Sequence, residues 1–249
     1  MSQHAMLNPN NGAPRFRQIF DILRNEITTG NLPEHTALPS ERVVAEQHGV
    51  SRMTARRALE ALDAEGLSYS EDRRGRFVSP QRLTYDISQM VSFAADAQAN
   101  GVELEIEVIE AGPAVADSKM ACDLSVSVGE PLHAYTRLFK IRGHAIFIET
   151  EYVIAAQFPD LLRHDLRQST TQLLDQHYDT CAHTGDIVIR MRGVRADEAQ
   201  LLGLAQNHAG IELEQVIRDT GGVPFCIGRQ IWRGELAEFS ARAIVNAQG

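Results

Sequence analysis

At 249 residues the chain has room for two domains of ordinary size, each with its own core. Hydrophobic residues at 43% and charged residues at 23% exclude a disordered or fibrous chain, and no apolar run approaches the roughly 20 residues that span a bilayer. A net charge of -9 argues against a nucleic-acid surface spread over the whole molecule, but the charge is uneven: residues 1–80 hold ten Arg, no Lys and ten acids, and the rest hold 14 basic against 23 acidic residues. Local charge decides phosphate binding, so a basic site in the first third stays open. Cys122, Cys181 and Cys226 are odd in number and form no CxxC, which gives neither a disulfide framework nor a zinc site. No cofactor or metal is expected, and a reducing cytoplasm is the expected compartment. The opening MSQHAMLNPNNGAP lacks the charged start and apolar middle of a signal peptide and reads as a disordered lead-in over 1–13.

In chain order, the spacing of Phe16, Ile19, Phe20, Leu23 and Ile27 predicts a helix over 15–29, stopped near Gly30 and Pro33. Ser40 caps a second helix to about His48, Gly49 turns the chain, and Ser51 caps a third helix to about Glu65. Residues 67–70 and 76–79 read as two short strands around a basic tip, EDRRG. Together, 14–79 read as a winged helix-turn-helix domain. Residues 80–88 are expected to be a linker. In 89–247, runs at 103–111, 132–142, 145–153, 186–194, 212–219 and 224–233 read as strands. Helical pieces are expected over 90–100, 170–178 and 197–204. The short turns Arg142-Gly143-His144 and Thr220-Gly221-Gly222 make the sheet largely antiparallel. The fold class is therefore α+β in the second domain.

The stretch LPSERVVAEQHGVSRMTARRALEALDAEG (38–66) carries the chemistry of the first domain. On its third helix Ala55, Ala58, Leu59 and Leu62 share one face, leaving Arg52 and Arg56 one turn apart on another, with Met53, Arg57 and Glu60. Arginines in the first turns of such a helix pair with guanine edges in the major groove. Ser51 and Thr54 add hydroxyls for phosphate or base, and Arg42 near the start of the preceding helix suits a backbone phosphate. Arg74 and Gly75 suit a wing tip reaching a narrow minor groove. The expected DNA-binding set is thus Arg42, Ser51, Arg52, Thr54, Arg56, Arg57, Arg74 and Gly75. For Arg57 a solvated helix face is an equal alternative.

In the second domain Glu149 stands among Ile146, Phe147 and Ile148 and shares a strand face with Phe147 and Glu151. It is either an exposed strand charge, an ion-pair partner of Arg137, or a buried acid with a task. Arg190 and Arg192 share a face of another strand. A fork of that kind binds a carboxylate or phosphate, or it pairs with Glu103, Glu105 and Glu107. Trp232 reads as core before ligand platform.

LPSER-x5-HGVSRMTARRALEALDAEGL followed by RRGRFVSP resembles the winged-helix domain of GntR-type bacterial transcription regulators. TRLFKIRGHAIFIETEYV, FPDLL, ADEAQLLGL and GGVPF…IWRGELAEF resemble the HutC subfamily, whose effector (UTRA) domain has a chorismate-lyase-like α+β fold. The resemblance implies a repressor that binds a palindromic operator in double-stranded DNA as a homodimer and responds to a small metabolite. It implies effector contacts at Arg137 and Glu149, and at Ser92, Phe93, Ser169, Thr170 and Thr171. Tyr152, Arg190 and Trp232 complete the expected effector set. The chain departs from phosphosugar-sensing relatives at Phe139, where they carry a second Arg, at Cys226, where they carry an acid, and at Trp232, near which they carry a Tyr. Those changes predict a less cationic and more apolar pocket, suited to an organic acid, an amino-acid-like compound or a phosphonate. Two further readings remain: a lyase-like enzyme fused to a DNA-binding domain, and an effector-independent DNA binder. The histidines are scattered and no nucleophile motif or HExxH pair occurs, so no catalytic residue is expected.

Overall fold

A computed structural model describes residues 12–71, 74–80, 83–89, 92–94, 97, 101–204 and 207–242. The chain divides into two compact units, Met1–Leu83 and Thr84–Gly249.

In the first unit, α1 (Arg15–Thr28), α2 (Glu41–His48) and α3 (Arg52–Ala64) precede the hairpin β1 (Ser68–Glu71) and β2 (Gly75–Val78). The helix boundaries follow local chemistry. Ser40 and Ser51 each accept the backbone N–H three residues on, from Val43 and Thr54, and Gly49 ends α2 in the left-handed conformation at φ 61°. Ile19, Phe20, Leu23, Val44, Ala55, Ala58, Leu59, Leu62 and Val78 close a single core. Ala37 bridges Phe77, so the hairpin gains a third short partner from the α1–α2 connection. Asp63 of α3 accepts from Arg76 Nε at 3.0 Å, which ties the hairpin to the end of the third helix.

The second unit is built on a six-stranded sheet in the order β4-β5-β6-β9-β8-β7, with every adjacent pair antiparallel. Its strands are β4 (Leu104–Val115), β5 (Pro131–Ile141), β6 (His144–Ile154), β7 (Thr184–Gly193), β8 (Ala209–Arg218) and β9 (Pro224–Arg233). β5 and β6 meet in a two-residue turn in which Arg142 and Gly143 both have positive φ, the twist a tight hairpin requires. On one face, α5 (Thr170–Tyr178) and the segment around Phe158 and Leu161 pack on Tyr135, Val153, Phe225 and Cys226. On the other face, α4 (Ser118–Leu124) covers Leu132, Ile154 and Ile227, and α6 (Ala196–Leu202) covers Leu138, Ile148 and Ile231.

Within the expected linker 80–88 the chain instead forms β3 (Leu83–Asp86), paired with β10 (Ala237–Ser240), and a single 3-10 turn, Ile87–Gln89. The cause is Tyr85, which is buried against Phe93, Trp232 and Phe239. Strands β3 and β10 and helix α4 carry too little periodicity in their few residues to be read from sequence. Of the helix expected over 90–100, Phe93, Ala94 and Ala97 are helical and most of the remainder lies outside the described residues. The same holds for residues 1–11 and for Arg73 in the wing.

Candidate functional site

Two clusters of polar side chains stand out, one in each unit. In the first unit Arg52 opens α3, is exposed, and makes no hydrogen bond or ion pair with the described residues. Arg56 is exposed on the next turn. Its Nε donates to Glu60 at 2.8 Å, and that bond with the Glu60 charge holds its pKa above the ordinary value. The two guanidiniums share a face by helical period. Met53 beside them is 70% exposed, an apolar side chain that nothing in the fold buries. Ser51 and Thr54 are joined by a hydroxyl–hydroxyl hydrogen bond of 2.9 Å, and Ser51 is the cap of α3. Arg42 is exposed and held by Glu46 at 2.8 Å. Arg74 at the wing is exposed and pairs with Glu71, and Gly75 has φ 108° with open space where a Cβ would stand. Arg57 is placed differently from the expectation. Its guanidinium lies 4.0 Å over the ring of Phe16 on α1, a stacking contact within the domain that turns it from the Arg52–Arg56 face.

In the second unit the register of the sheet assembles the polar cluster. Arg137 stands opposite Glu149, and Glu149 opposite Gln230, while Tyr135, Glu151 and Gly228 form the next row. One face of three neighbouring strands therefore presents a guanidinium, two carboxylates and an amide side by side. Arg137 is almost fully buried. Its Nη1 donates to the carbonyls of Leu166 at 3.0 Å and Gln168 at 2.6 Å, and its Nη2 to Glu149, to Thr170 Oγ1 at 3.1 Å and to Glu151 at 3.4 Å. Its Nε is buried and has no hydrogen-bond partner among the described residues. Burial opposes the Arg137 charge, but Glu149, then Tyr135 and Glu151, outweigh it and keep its pKa above the ordinary value. Glu149 also accepts from Gln230 Nε2 at 2.7 Å, and Glu151 from Cys226 Sγ at 2.7 Å. Desolvation first, and the Glu149 charge second, push Glu151 up to about 7 against the pull of Arg137.

Tyr85, Ser92, Phe93, Arg137, Glu149, Glu151, Ser169, Thr170, Thr171, Gln215, Ile217 and Gln230 enclose a cavity of about 30 Å³, room for about one water molecule. A wider hollow of about 580 Å³ shares Ser169 with it and is lined also by Glu103, Arg167, Gln168 and Gln172. Gly228 matters to the inner cavity. A Cβ there would stand 2.8 Å from Gln215 Nε2, so the bare backbone lets the Gln215 side chain lie across β9.

Seven expected effector residues meet at this cavity: Ser92, Phe93, Arg137, Glu149, Ser169, Thr170 and Thr171. Three do not line it. Trp232 is wholly buried behind, stacked on Phe147 at 3.9 Å, and its Nε1 donates to Gln230 Oε1 at 2.8 Å. That bond turns the Gln230 amide so that its NH2 faces Glu149; Trp232 acts on the cavity through this link and through the lining rings of Tyr85 and Phe93 packed against it. Tyr152 lies on the opposite sheet face, because side chains alternate and Glu149 and Glu151 already point into the cavity. Arg190 is exposed on the edge strand β7, within 3.8 Å of Glu212 and 4.0 Å of Glu214. Arg192 pairs with Glu198 at 2.7 Å and Glu212 at 2.8 Å. Neither arginine can meet Glu103, Glu105 or Glu107, since β4 and β7 are the two opposite edges of the sheet, about 24 Å apart at the usual strand spacing. The expected apolar lining is also corrected. Phe139 stacks on Phe147 at 4.1 Å and Cys226 bonds Glu151, but the cavity itself is dominated by two acids, one arginine and hydroxyls.

Sequence reasoning missed Gln215, Gln230 and Tyr85. Gln215 and Gln230 look like ordinary strand polar residues until the register sets them in the rows of Glu151 and Glu149, and Tyr85 sat in a presumed linker. Glu151 had a signal, the face it shares with Glu149.

A winged helix with an unpaired arginine at the head of its third helix, joined in one chain to an antiparallel sheet domain with a closed polar cavity, defines a DNA-binding regulator with an effector domain. Residues 16–78 match the bacterial regulatory proteins of the gntR family, and residues 99–238 match the UTRA domain. The chain belongs to the GntR family of transcription regulators, in the HutC subfamily that carries a UTRA domain. It is 24% identical to the HTH-type transcriptional repressor NagR of Bacillus subtilis, over 94% of this chain and 96% of that protein. It is 28% identical to the histidine utilization repressor of Pseudomonas aeruginosa, over 93% and 87% of the two chains. The crystal structure of PhnF from Mycobacterium smegmatis shares the fold, with a TM-score of 0.64 and 23% identity over 92% of this chain and 100% of that one. The family consists of transcription regulators. No helix among the described residues is long and apolar enough to cross a membrane.

Proposed function

We propose that the chain is a cytoplasmic homodimeric repressor that holds a palindromic operator through the first unit (residues 14–79) and is released by a small metabolite bound in the second (89–247). Arg52, Arg56 and Met53 read base edges, the arginines toward guanine and the methionine toward a thymine methyl. Ser51, Thr54 and Arg42 hold phosphates, and Arg74 with Gly75 places the wing on the backbone or in the minor groove. Arg57 serves the domain rather than the DNA.

The observation that supports the effector reading is the buried set Arg137, Glu149 and Glu151, with Arg137 Nε left without an acceptor among the described residues. Two carboxylates against one guanidinium favour a ligand that brings positive charge or several N–H donors to Glu149 and Glu151. Ser169, whose side chain makes no capping bond, and Thr171 stand at the N-terminus of α5, where backbone N–H groups favour an anion. An amino-acid-like compound satisfies both ends better than a simple organic acid or a phosphonate without an amine. The inner cavity is too small for such a molecule as it stands, so binding must widen it toward the adjoining hollow. A ligand that favours the widened form shifts the population of the domain between two states.

Arg137→Ala and Glu149→Ala are expected to keep operator affinity within about twofold while abolishing release by the effector. Fluorescence anisotropy of a labelled duplex from the protein's own locus, titrated with zwitterionic amino compounds, organic acids and phosphonates, measures both. Unchanged release in both variants would remove the cavity from the effector site.

A further inference from the structure

The sheet face turned away from the Arg137 cavity has a polar stripe of its own. Along that face β5 runs Leu132, Ala134, Thr136, Leu138, and β9 runs Ile227, Arg229, Ile231. Between them β6 interrupts Ile148 and Ile154 with Thr150 and Tyr152. Helix α4 covers the apolar residues at one end and α6 those at the other. Register then sets Glu110, Thr136, Thr150, Arg229 and Glu214 in one row from β4 to β8. Over this row lies a hollow of about 430 Å³, a volume ordinary for small-molecule sites.

The protons of the row can be assigned. Thr136 Oγ1 donates to Glu110 at 3.3 Å, because a carboxylate only accepts. The 3.0 Å bond between the two threonines then takes the Thr150 proton. Thr150 Oγ1 keeps its capacity to accept. Arg229 gives its Nε to Glu214 at 3.1 Å, and its Nη groups have no hydrogen-bond partner among the described residues. The hydroxyl of Tyr152, whose ring lies 5.3 Å from the Arg229 guanidinium, has none there either. A free acceptor and a free donor on neighbouring strands suit one chemical group best, a hydroxyl, which gives a proton and accepts another.

The charges around the hollow disfavour an ion. Arg192 is held by Glu198 at 2.7 Å and Glu212 at 2.8 Å, Arg195 by Glu198 at 2.7 Å, and Arg229 by Glu214. A charged ligand would have to break a pair already made. Glu110 stands exposed, where water screens its pull on a cation. Ile109, Leu201 and Ile231 supply apolar wall for C–H surfaces.

We infer that this hollow is a second small-molecule site, which takes a neutral polyol of monosaccharide size. One ligand hydroxyl accepts from Arg229 Nη and donates to Thr150 Oγ1, and another meets the Tyr152 hydroxyl. The site lies outside the proposed effector cavity and does not depend on that reading.

Calorimetry of the full chain with D-glucose, D-sorbitol and myo-inositol tests it, with acetate and ethanolamine as charged controls. At least one polyol should bind saturably, one per chain, and neither ion should. Thr150→Val and Tyr152→Phe should each weaken that binding about tenfold, and Thr150→Ser, which keeps the hydroxyl, should restore it. Should Thr150→Val fail to fold, Tyr152→Phe and Thr150→Ser decide. Saturable binding of none of the three polyols, tighter binding of an ion, or polyol binding indifferent to Tyr152→Phe and Thr150→Val overturns the site.

Discussion

A single buried guanidinium organises the polar floor of the second unit. Arg137 gives Nη bonds to two backbone carbonyls, a threonine and two carboxylates, yet one positive charge cannot neutralise two acids. Burial first, and the neighbouring Glu149 charge second, raise the Glu151 pKa from the ordinary 4.5 to about 7 in the folded chain. The folded state therefore binds the extra proton more tightly, and stability falls as pH rises through that window. Glu151→Gln removes the effect. Thermal melts should show the variant equal to the unaltered chain near pH 4 and more stable by roughly 1–3 kcal/mol at pH 8; a pH-independent difference would mean that Glu151 is not the group that holds the proton. In the first unit, the proposed function divides the work of three arginines on one helix. Arg52→Ala and Arg56→Ala should each cost about 1–3 kcal/mol of discrimination between operator and scrambled duplex. Arg57→Ala should leave that discrimination alone and cost about 0.5–1 kcal/mol of stability through the lost contact with Phe16. Competition anisotropy and urea melts separate the two roles.

At the level of elements, strand register does what no single residue can. β5, β6 and β9 are held so that Arg137, Glu149 and Gln230 form one row across the sheet, and a one-residue slip of any of them would turn its polar group to the opposite face. Gly228 is the quiet partner in the next row. Gly228→Ala would press a methyl against the end of Gln215, a flexible side chain that can give way by leaving the cavity. The fold should tolerate it with a loss of about 1 kcal/mol or less, whereas effector affinity, read by calorimetry, should fall about tenfold. If affinity holds, Gln215 makes no contact with the effector.

Across the whole molecule, charge is partitioned by domain. A neutral first third holds ten arginines, with exposed ones on its helices and its wing, and the remainder of the chain carries the whole excess of negative charge. Operator binding should therefore weaken steeply with salt, the logarithm of the affinity falling linearly with the logarithm of salt concentration. Arg42→Ala, which removes the proposed phosphate contact, should lower that slope by about one while leaving base preference unchanged. A slope indifferent to Arg42 would take this residue off the backbone.

The helix-turn-helix was legible from residues alone because its signals are local: Ser40 and Ser51 cap, Gly49 turns, and the apolar spacing of α3 leaves Arg52 and Arg56 on another face within a few residues of chain. The antiparallel sheet was legible for the same reason, through the period-two runs of β5 to β9 and their short turns. The tertiary structure alone decided the cavity. Arg137, Glu149 and Gln230 come from three strands, their meeting is set by register and by which face each strand buries, and those are properties of the packed sheet. The same packing took Arg190 to an edge, folded Arg57 onto Phe16 and drew Tyr85 out of a presumed linker into an aromatic core. Contacts between residues far apart in sequence depend on how the apolar surfaces are shared out, and the order of residues along the chain does not encode that division locally.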